Sequence, residues 1–251
     1  MARRLQGMGK RGYEGLVDEQ GRWMGQVNLL EWRMEDPLHL KQSRRIAVNL
    51  MGDLFHPEVP TWFIQKTFNM MVEANWHTFF VLTKRPERML EILPGVSSLV
   101  PPWNVWLGTT AGTQQSANDR RISMMQIHLL GWKTWVSCEP QLEMIDWHGW
   151  SFLKWMVVGG ESGPRARPMS PAWARADRDW CQDQGVKFWF KQWGEWGPAP
   201  LSPSAISPHL QSAQIGGLEN YSMTMVGEEM MFRFGRKQTG RLLDDQEWSE
   251  E

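Results

Sequence analysis

Six short apolar runs, each stopping at charged or hydroxyl residues, constrain the fold of this chain more than any other feature. They are Arg45–Met51, ended by Gly52-Asp53; His77–Leu82, ended by Thr83-Lys84-Arg85; Asn104–Gly108, ended by Thr109-Thr110; Lys133–Ser137, ended by Cys138-Glu139-Pro140; Lys154–Val158, ended by Gly159-Gly160-Glu161-Ser162-Gly163; and Val186–Phe190, ended by Lys191-Gln192. Runs of this length, apolar on both faces, read as buried parallel strands. Their starts lie roughly 20 to 35 residues apart, the size of a strand–helix–strand unit.

Helical signals fill the gaps. Pro60 precedes an amphipathic stretch with Thr61 as its expected N-cap and Phe63, Ile64, Phe68, Met71 and Val72 on one face. Pro86 opens a second helix at the favoured first position. A third is expected from Gln114 to Leu130, and a fourth from Pro171 through Trp173, Ala176 and Trp180 to Gly185. The connection after the fourth strand carries the weakest helical pattern. Such alternation predicts a single-domain α/β fold with a mostly parallel sheet, drawn as an open or partial (β/α) barrel whose first strand is missing or displaced. Residues 1–44 form a lead-in with little core of its own, holding a helical tail at Ala2–Gln6 and a short helix at Glu31–Leu40 interrupted by Pro37. The β/α core covers 45–193. Residues 194–251 read as a Pro/Ser/Gly-rich loop, a C-terminal β-hairpin from Met223 to Phe234, and a surface tail.

Bulk charge selects no partner. The 251 residues carry a formal net charge of −1, which argues for neither nucleic acid nor an acidic membrane, though a local basic patch stays open. The two cysteines, Cys138 and Cys181, make neither a disulfide framework nor a metal-spaced cluster and fit a reducing cytoplasm. No apolar run approaches the ~18 residues of a spanning helix, and the basic start lacks the apolar stretch of a signal peptide. The six histidines show no ligand spacing, so no metal site is expected from them.

The carboxyl ends of parallel strands form the ligand site in α/β folds. Here they would gather carboxylates (Asp53, Glu139, Glu161), cations (Lys84, Arg85, Lys191) and polar groups (Ser162, Gln192). Lys84 and Arg85 suit an anion such as phosphate or carboxylate, or stand as a solvated pair. Glu139 reads as a general acid/base or as a structural anchor, and Lys191 as a buried cation paired with Glu139 or Glu161. Gly159 and Gly160 permit close backbone approach to a ligand, without the dinucleotide fingerprint. Cys138 reads as a small buried residue in preference to a nucleophile. The tryptophans, 17 in all, read mainly as core, with base stacking as the alternative.

Several ordered segments resemble a known family: Asn49–His56, Val81–Met89, Asn104–Gly108, Val136–Pro140, Val157–Gly163, Phe190–Trp196 and the tail Gly240–Asp244. Together they are similar to the phage gene-product-37/gene-product-68 family, a domain of unknown function. Its members carry an N-terminal three-cysteine loop like that of radical S-adenosylmethionine enzymes, which use partial (β/α) barrels. The resemblance implies a [4Fe–4S] cluster and S-adenosylmethionine, with three thiolates holding the cluster. This sequence lacks that loop, and Met1–Arg4 resembles the helix that follows it: either the start is trimmed or miscalled and an N-terminal extension carries the cofactors, or this member has lost the chemistry, and cluster binding by this chain is expected to fail. Under the resemblance, Gly52, Asp53, Gly159, Gly160 and Ser162 would contact the cofactor. Lys84, Arg85, Glu139, Glu161, Lys191 and Gln192 would hold or act on a substrate, nucleic acid among the candidates. Two rivals stand beside this reading. One is a non-catalytic module gripping a phosphorylated ligand, nucleic acid or protein, and the other a non-redox enzyme using Glu139 and Glu161 as acid and base.

Overall fold

Buried strands alternating with one-sided helices set the architecture, an α/β fold with a six-stranded parallel sheet. The computed structural model describes residues 2–49, 51–96, 100–198 and 221–249. Its strands β1 (Arg45–Val48), β2 (Thr78–Thr83), β3 (Val105–Thr110), β4 (Lys133–Cys138), β5 (Trp155–Gly159) and β6 (Lys187–Gln192) are hydrogen-bonded in chain order. The chain divides into two compact units, Met1–Leu107 with Leu130–Trp132, and Gly108–Leu129 with Lys133–Glu251.

In the first unit, β1 and β2 run parallel, with Ile46 beside Phe79 and Val48 beside Val81. Strand β1 is shorter than its apolar run because Asn49 turns to φ 56°, outside extended geometry. Helix α1 spans Ala2–Gly7, and its Gln6 carboxamide exchanges hydrogen bonds with the backbone of Val17 at 2.8 and 3.1 Å. The Glu31–Leu40 stretch is two 3-10 turns, Glu31–Arg33 and Asp36–His39, and Pro37 begins the second instead of interrupting one helix. Helix α2 (Thr61–Glu73) has Pro60 at its N-cap and no side-chain cap, so Thr61 is the first helical residue and not the cap. Its buried positions are Ile64, Thr67, Phe68, Met70 and Met71, while Val72 is exposed. Helix α3 (Pro86–Ile92) starts at its proline as expected.

Two buried polar residues hold this unit together. His77 accepts from the Arg44 N–H through Nδ1 at 3.0 Å and lies 2.9 Å from the Pro37 carbonyl through Nε2, a structural role for the ring. Asn104 donates from Nδ2 to the carbonyls of Met71 at 2.8 Å and His77 at 3.1 Å, and its own carbonyl accepts from Phe79 N–H at 2.8 Å. One side chain therefore ties the end of α2 to the start of β2.

In the second unit, β4, β5 and β6 pair in parallel with Trp135 beside Trp155 and Val157 beside Trp189. The indoles of Trp135, Trp155 and Trp189 stack in a row, with centroids 5.1 and 5.8 Å apart. Trp135 and Trp155 are buried, as core packing requires. Gly108 makes room for this row: a Cβ there would lie 2.3 Å from the Trp135 ring. Helix α4 (Gln114–Leu129) has Thr113 at its start, whose Oγ1 accepts from Ser116 N–H at 3.2 Å. The β4–β5 connection is loop. Helix α5 (Pro171–Gln184) is capped by Ser170 Oγ, which accepts from Ala172 N–H at 3.1 Å, and is closed by Gly185 in the left-handed conformation. Its buried stripe is Pro171, Ala174, Asp177 and Cys181.

Beyond β6, strands β7 (Gly197–Pro198), β9 (Glu229–Phe232) and β8 (Met223–Val226) form an antiparallel sheet in that order. The Pro/Ser-rich excursion predicted between Gly194 and Ser222 falls mostly outside the described residues. The tail is not merely surface. Leu243 is fully buried, and Asp244 accepts from Arg175 Nε at 2.8 Å and Arg178 Nη1 at 2.6 Å. Burial alone would raise the Asp244 carboxyl, but the two guanidiniums outweigh it and hold it below its ordinary value. The Trp248 carbonyl accepts from Phe190 N–H at 3.1 Å on the outer edge of β6.

Replacing Asn104 by leucine leaves two buried carbonyls without their donor. Asn104→Leu is expected to lower the unfolding free energy by about 2–4 kcal/mol, measured as a lower urea midpoint at unchanged m-value.

Candidate functional site

Strand β4 ends by delivering Glu139 to the same face as Trp135 and Ser137, four and two residues earlier. Strand β6 delivers Lys191 to the face of Trp189 by the same alternation. The two side chains meet, with Lys191 Nζ 2.9 Å from Glu139 Oε1 and 3.1 Å from Oε2. Ser137 Oγ donates to Oε2 at 3.2 Å. Side-chain exposure is 19% for Glu139 and 43% for Lys191, so the carboxylate is largely covered and the ammonium faces outward. Of the two sequence partners expected for Lys191, the geometry selects Glu139.

Strand β5 contributes the glycines, which have a steric reason to be there. A Cβ on Gly159 would lie 2.9 Å from Glu139 Oε1, and one on Gly160 would lie 1.9 Å from the Trp193 carbonyl oxygen. The room expected for a ligand's approach is thus taken by the chain itself. The loop is then sewn to the end of β6. Gly160 N–H donates to the Gln192 carbonyl at 2.9 Å, Gln192 Nε2 to Ser162 Oγ at 3.3 Å, and Glu195 N–H to the Glu161 carbonyl at 2.9 Å. Gly194, at φ 85°, faces the Glu161 carbonyl at a virtual-Cβ distance of 2.1 Å, so both strand ends need glycine where their backbones touch.

Glu161 does not join the Glu139–Lys191 pair. It accepts from Arg167 through a fork, Nε to Oε2 at 2.9 Å and Nη2 to Oε1 at 3.1 Å, with the Arg167 N–H on Oε2 at 2.9 Å. The guanidinium beside it holds the Glu161 carboxyl below its ordinary value, so it is ionised at neutral pH and a poor proton donor.

In the first unit, Asp53 is saturated. Its Oδ1 accepts from Thr83 Oγ1 at 2.7 Å and Phe55 N–H at 3.0 Å; its Oδ2 accepts from Arg85 Nη1 at 2.6 Å and Lys84 N–H at 3.2 Å. Asp53 therefore fastens the end of β2 to the loop after β1, and Arg85 is its counter-ion. The Lys84 side chain is exposed, and nothing crowds a Cβ at Gly52. This unit also has a cleft of about 380 Å³, lined by Phe68, Val72, Asn75, Trp103, Asn104 and Trp132. It lies at the amino end of β3, away from the strand ends that the sequence singles out.

Cys138 and Cys181 are both buried, and burial above all raises both thiols well above their ordinary range. Thiols held protonated are poor nucleophiles and poor ligands. Among the described residues no three His, Cys, Asp or Glu side chains gather to hold a metal ion. Two buried thiols and no three-ligand cluster among the described residues do not fit an iron–sulfur cluster.

Sequence reasoning missed Arg167, Ser137, Asp177 and Gln141. Asp177 had a signal, since it falls in step with Ala174 and Cys181 on α5. Arg167 had none, because its place beside Glu161 depends on the path of the intervening loop.

Fold and strand ends together define an α/β protein with a charged, glycine-walled edge at the ends of β4, β5 and β6. Across residues 1–251 the chain matches the family described as Protein of unknown function (DUF5131), and it belongs to that family. No curated protein and no solved structure matches it.

The two kinds of rim glycine separate in a stability measurement. Gly160→Ala drives a methyl into a backbone carbonyl and is expected to cost about 3 kcal/mol or more. Gly52→Ala meets open space and is expected to stay within about 1 kcal/mol of the parent. Urea midpoints of the two variants check this.

Proposed function

We propose that this chain is a ligand-binding protein of the radical-S-adenosylmethionine type, of the phage gene-product-37/gene-product-68 kind, whose site is the edge formed by β4, β5 and β6. The Glu139–Lys191 pair carries the reading. A half-open ion pair at the ends of parallel strands is complementary to a small molecule bearing an ammonium and a carboxylate close together. Glu139 accepts from the ligand's ammonium, and Lys191 turns its outward ammonium to the ligand's carboxylate. The amino-acid end of S-adenosylmethionine has this chemistry, and the ordered motifs of the chain resemble enzymes that use it. When bound, that molecule supplies a sulfonium that activates its neighbouring carbons. What the chain's own residues do is bind and orient: Ser137 fixes the Glu139 carboxylate, and Gly159 leaves it room.

The acid/base reading is weaker, because Glu161 is locked to Arg167 and Glu139 to Lys191, so neither carboxylate stands free to carry a proton. The phosphate-binding reading rests on the exposed Lys84 and is an outcome of the same experiment.

Isothermal titration calorimetry of the full chain with S-adenosylmethionine and with methionine tests the proposal. Saturable binding is expected, weakened by about tenfold or more, about 1.4 kcal/mol, in Lys191→Met. Absence of heat with either ligand at millimolar concentration overturns it, as does a Lys191→Met variant that binds like the parent. Binding of inorganic phosphate instead, lost in Lys84→Ala, would move the site to the first unit.

A further inference from the structure

Behind the strand ends, on the helix side of β4, lies a buried polar cluster that the ligand edge does not use. Asp177 on α5 is 1% exposed. Its Oδ1 accepts from the Trp147 indole Nε1 at 2.8 Å, and its Oδ2 has no hydrogen-bond partner among the described residues. The Gln141 carboxamide, 1% exposed, faces the carboxyl, yet neither its oxygen nor its nitrogen completes a hydrogen bond of normal geometry. The titratable groups facing Asp177 are the thiols of Cys138 on β4 and Cys181 on α5. From β5 the Met156 thioether lies 3.6 Å from Cys181 Sγ. From the β4–β5 loop come the Trp147 indole and the Gln141 carboxamide. Among these groups none is a cation.

A buried carboxyl without a counter-ion favours its neutral form, and two unpartnered polar side chains side by side favour a bond between them. A carboxamide is suited to either state, since it offers an acceptor at one end and donors at the other. We infer that Asp177 and Gln141 form a buried proton switch. With Asp177 protonated, its Oδ2–H donates to Gln141 Oε1. When the proton leaves for solvent, the carboxamide turns over and Gln141 Nε2 donates to the carboxylate. Gln141 is placed to pass this on, because its backbone N–H donates to the Gly159 carbonyl at 3.1 Å and it stands two residues after Glu139. The inference concerns the buried pair itself and does not rest on the ligand reading.

Burial, eased by the Trp147 indole and the Gln141 carboxamide, raises the Asp177 carboxyl to about 7 from an ordinary 3.8. Ionisation strengthens the indole hydrogen bond, so the Trp147 Nε1–H resonance, assigned with Trp147→Phe, is expected to move downfield in one titration centred in the neutral range. Asp177→Asn is expected to abolish the titration. Gln141→Leu is expected to shift its midpoint upward, because the ionised form loses its donor. Stability supplies a second reading. Below the unfolded-state value of 3.8 both states are protonated; above it the unfolded chain ionises while the folded chain keeps its proton, so stability falls as pH rises until the folded carboxyl ionises near 7. The parent is expected to lose that increment of thermal stability between about pH 4 and about pH 7, and Asp177→Asn to lack it. A resonance that stays fixed across the neutral range, one that still titrates in Asp177→Asn, or a midpoint unmoved in Gln141→Leu overturns the inference. Should Asp177→Asn not fold, Gln141→Leu decides alone.

Discussion

Charge neutralisation at the strand ends is the constraint on which the described structure turns. Asp53 is matched by Arg85, Glu139 by Lys191 and Glu161 by Arg167. A carboxylate drawn partly out of water needs a counter-ion and hydrogen-bond donors to remain charged there. Each of these has both: Thr83 and two backbone amides for Asp53, Ser137 for Glu139, and the Arg167 amide for Glu161. The pairs serve different ends. Asp53 has no accepting position left and acts as a fastener. Glu139 and Glu161 instead keep partners that face outward, Lys191 and Arg167.

Much of the fold was legible because it depends on local chemistry. Pro86 and Pro171 start helices, Gly185 ends one, and six apolar runs become six strands. These signals need no partner from elsewhere in the chain. The helix faces were harder. On α2 the large side chains Phe63 and Val72 were expected on the buried face, whereas the interior takes Thr67 and Met70, and on α5 it takes Ala174 and Asp177. Small or polar residues lie where a helix approaches a sheet closely, and bulky aromatics cover the flanks. Side-chain size therefore misled where spacing alone did not.

The candidate site was legible as a set of residues but not as a set of contacts. That Glu139 and Lys191 occupy like positions on their strands follows from alternation. Their pairing follows from β5 lying between them with a glycine at the right height. Glu161 could not be assigned to Arg167 from sequence, because that contact is made by a loop whose path is set by Arg233, Trp196 and Glu195 bonding its backbone. Asp177 escaped notice because a carboxylate in a helix is ordinarily taken for a solvent-facing group.

The clamp on the tail bears on the order in which the second unit can be completed. Helix α5 finds counter-ions for Arg175 and Arg178 in Asp244, and β6 gains cover for its outer edge from Trp248, both supplied by residues translated some 50 to 70 positions later. Until the ribosome releases that segment, β6 presents an open edge, and on α5 Arg178 has the carboxylate of Asp179 while Arg175 still waits for those of Glu229 and Asp244. A nascent chain in this condition is a natural client for whatever shields strand edges during synthesis. A stretch made later is thus the latch on elements made well before it.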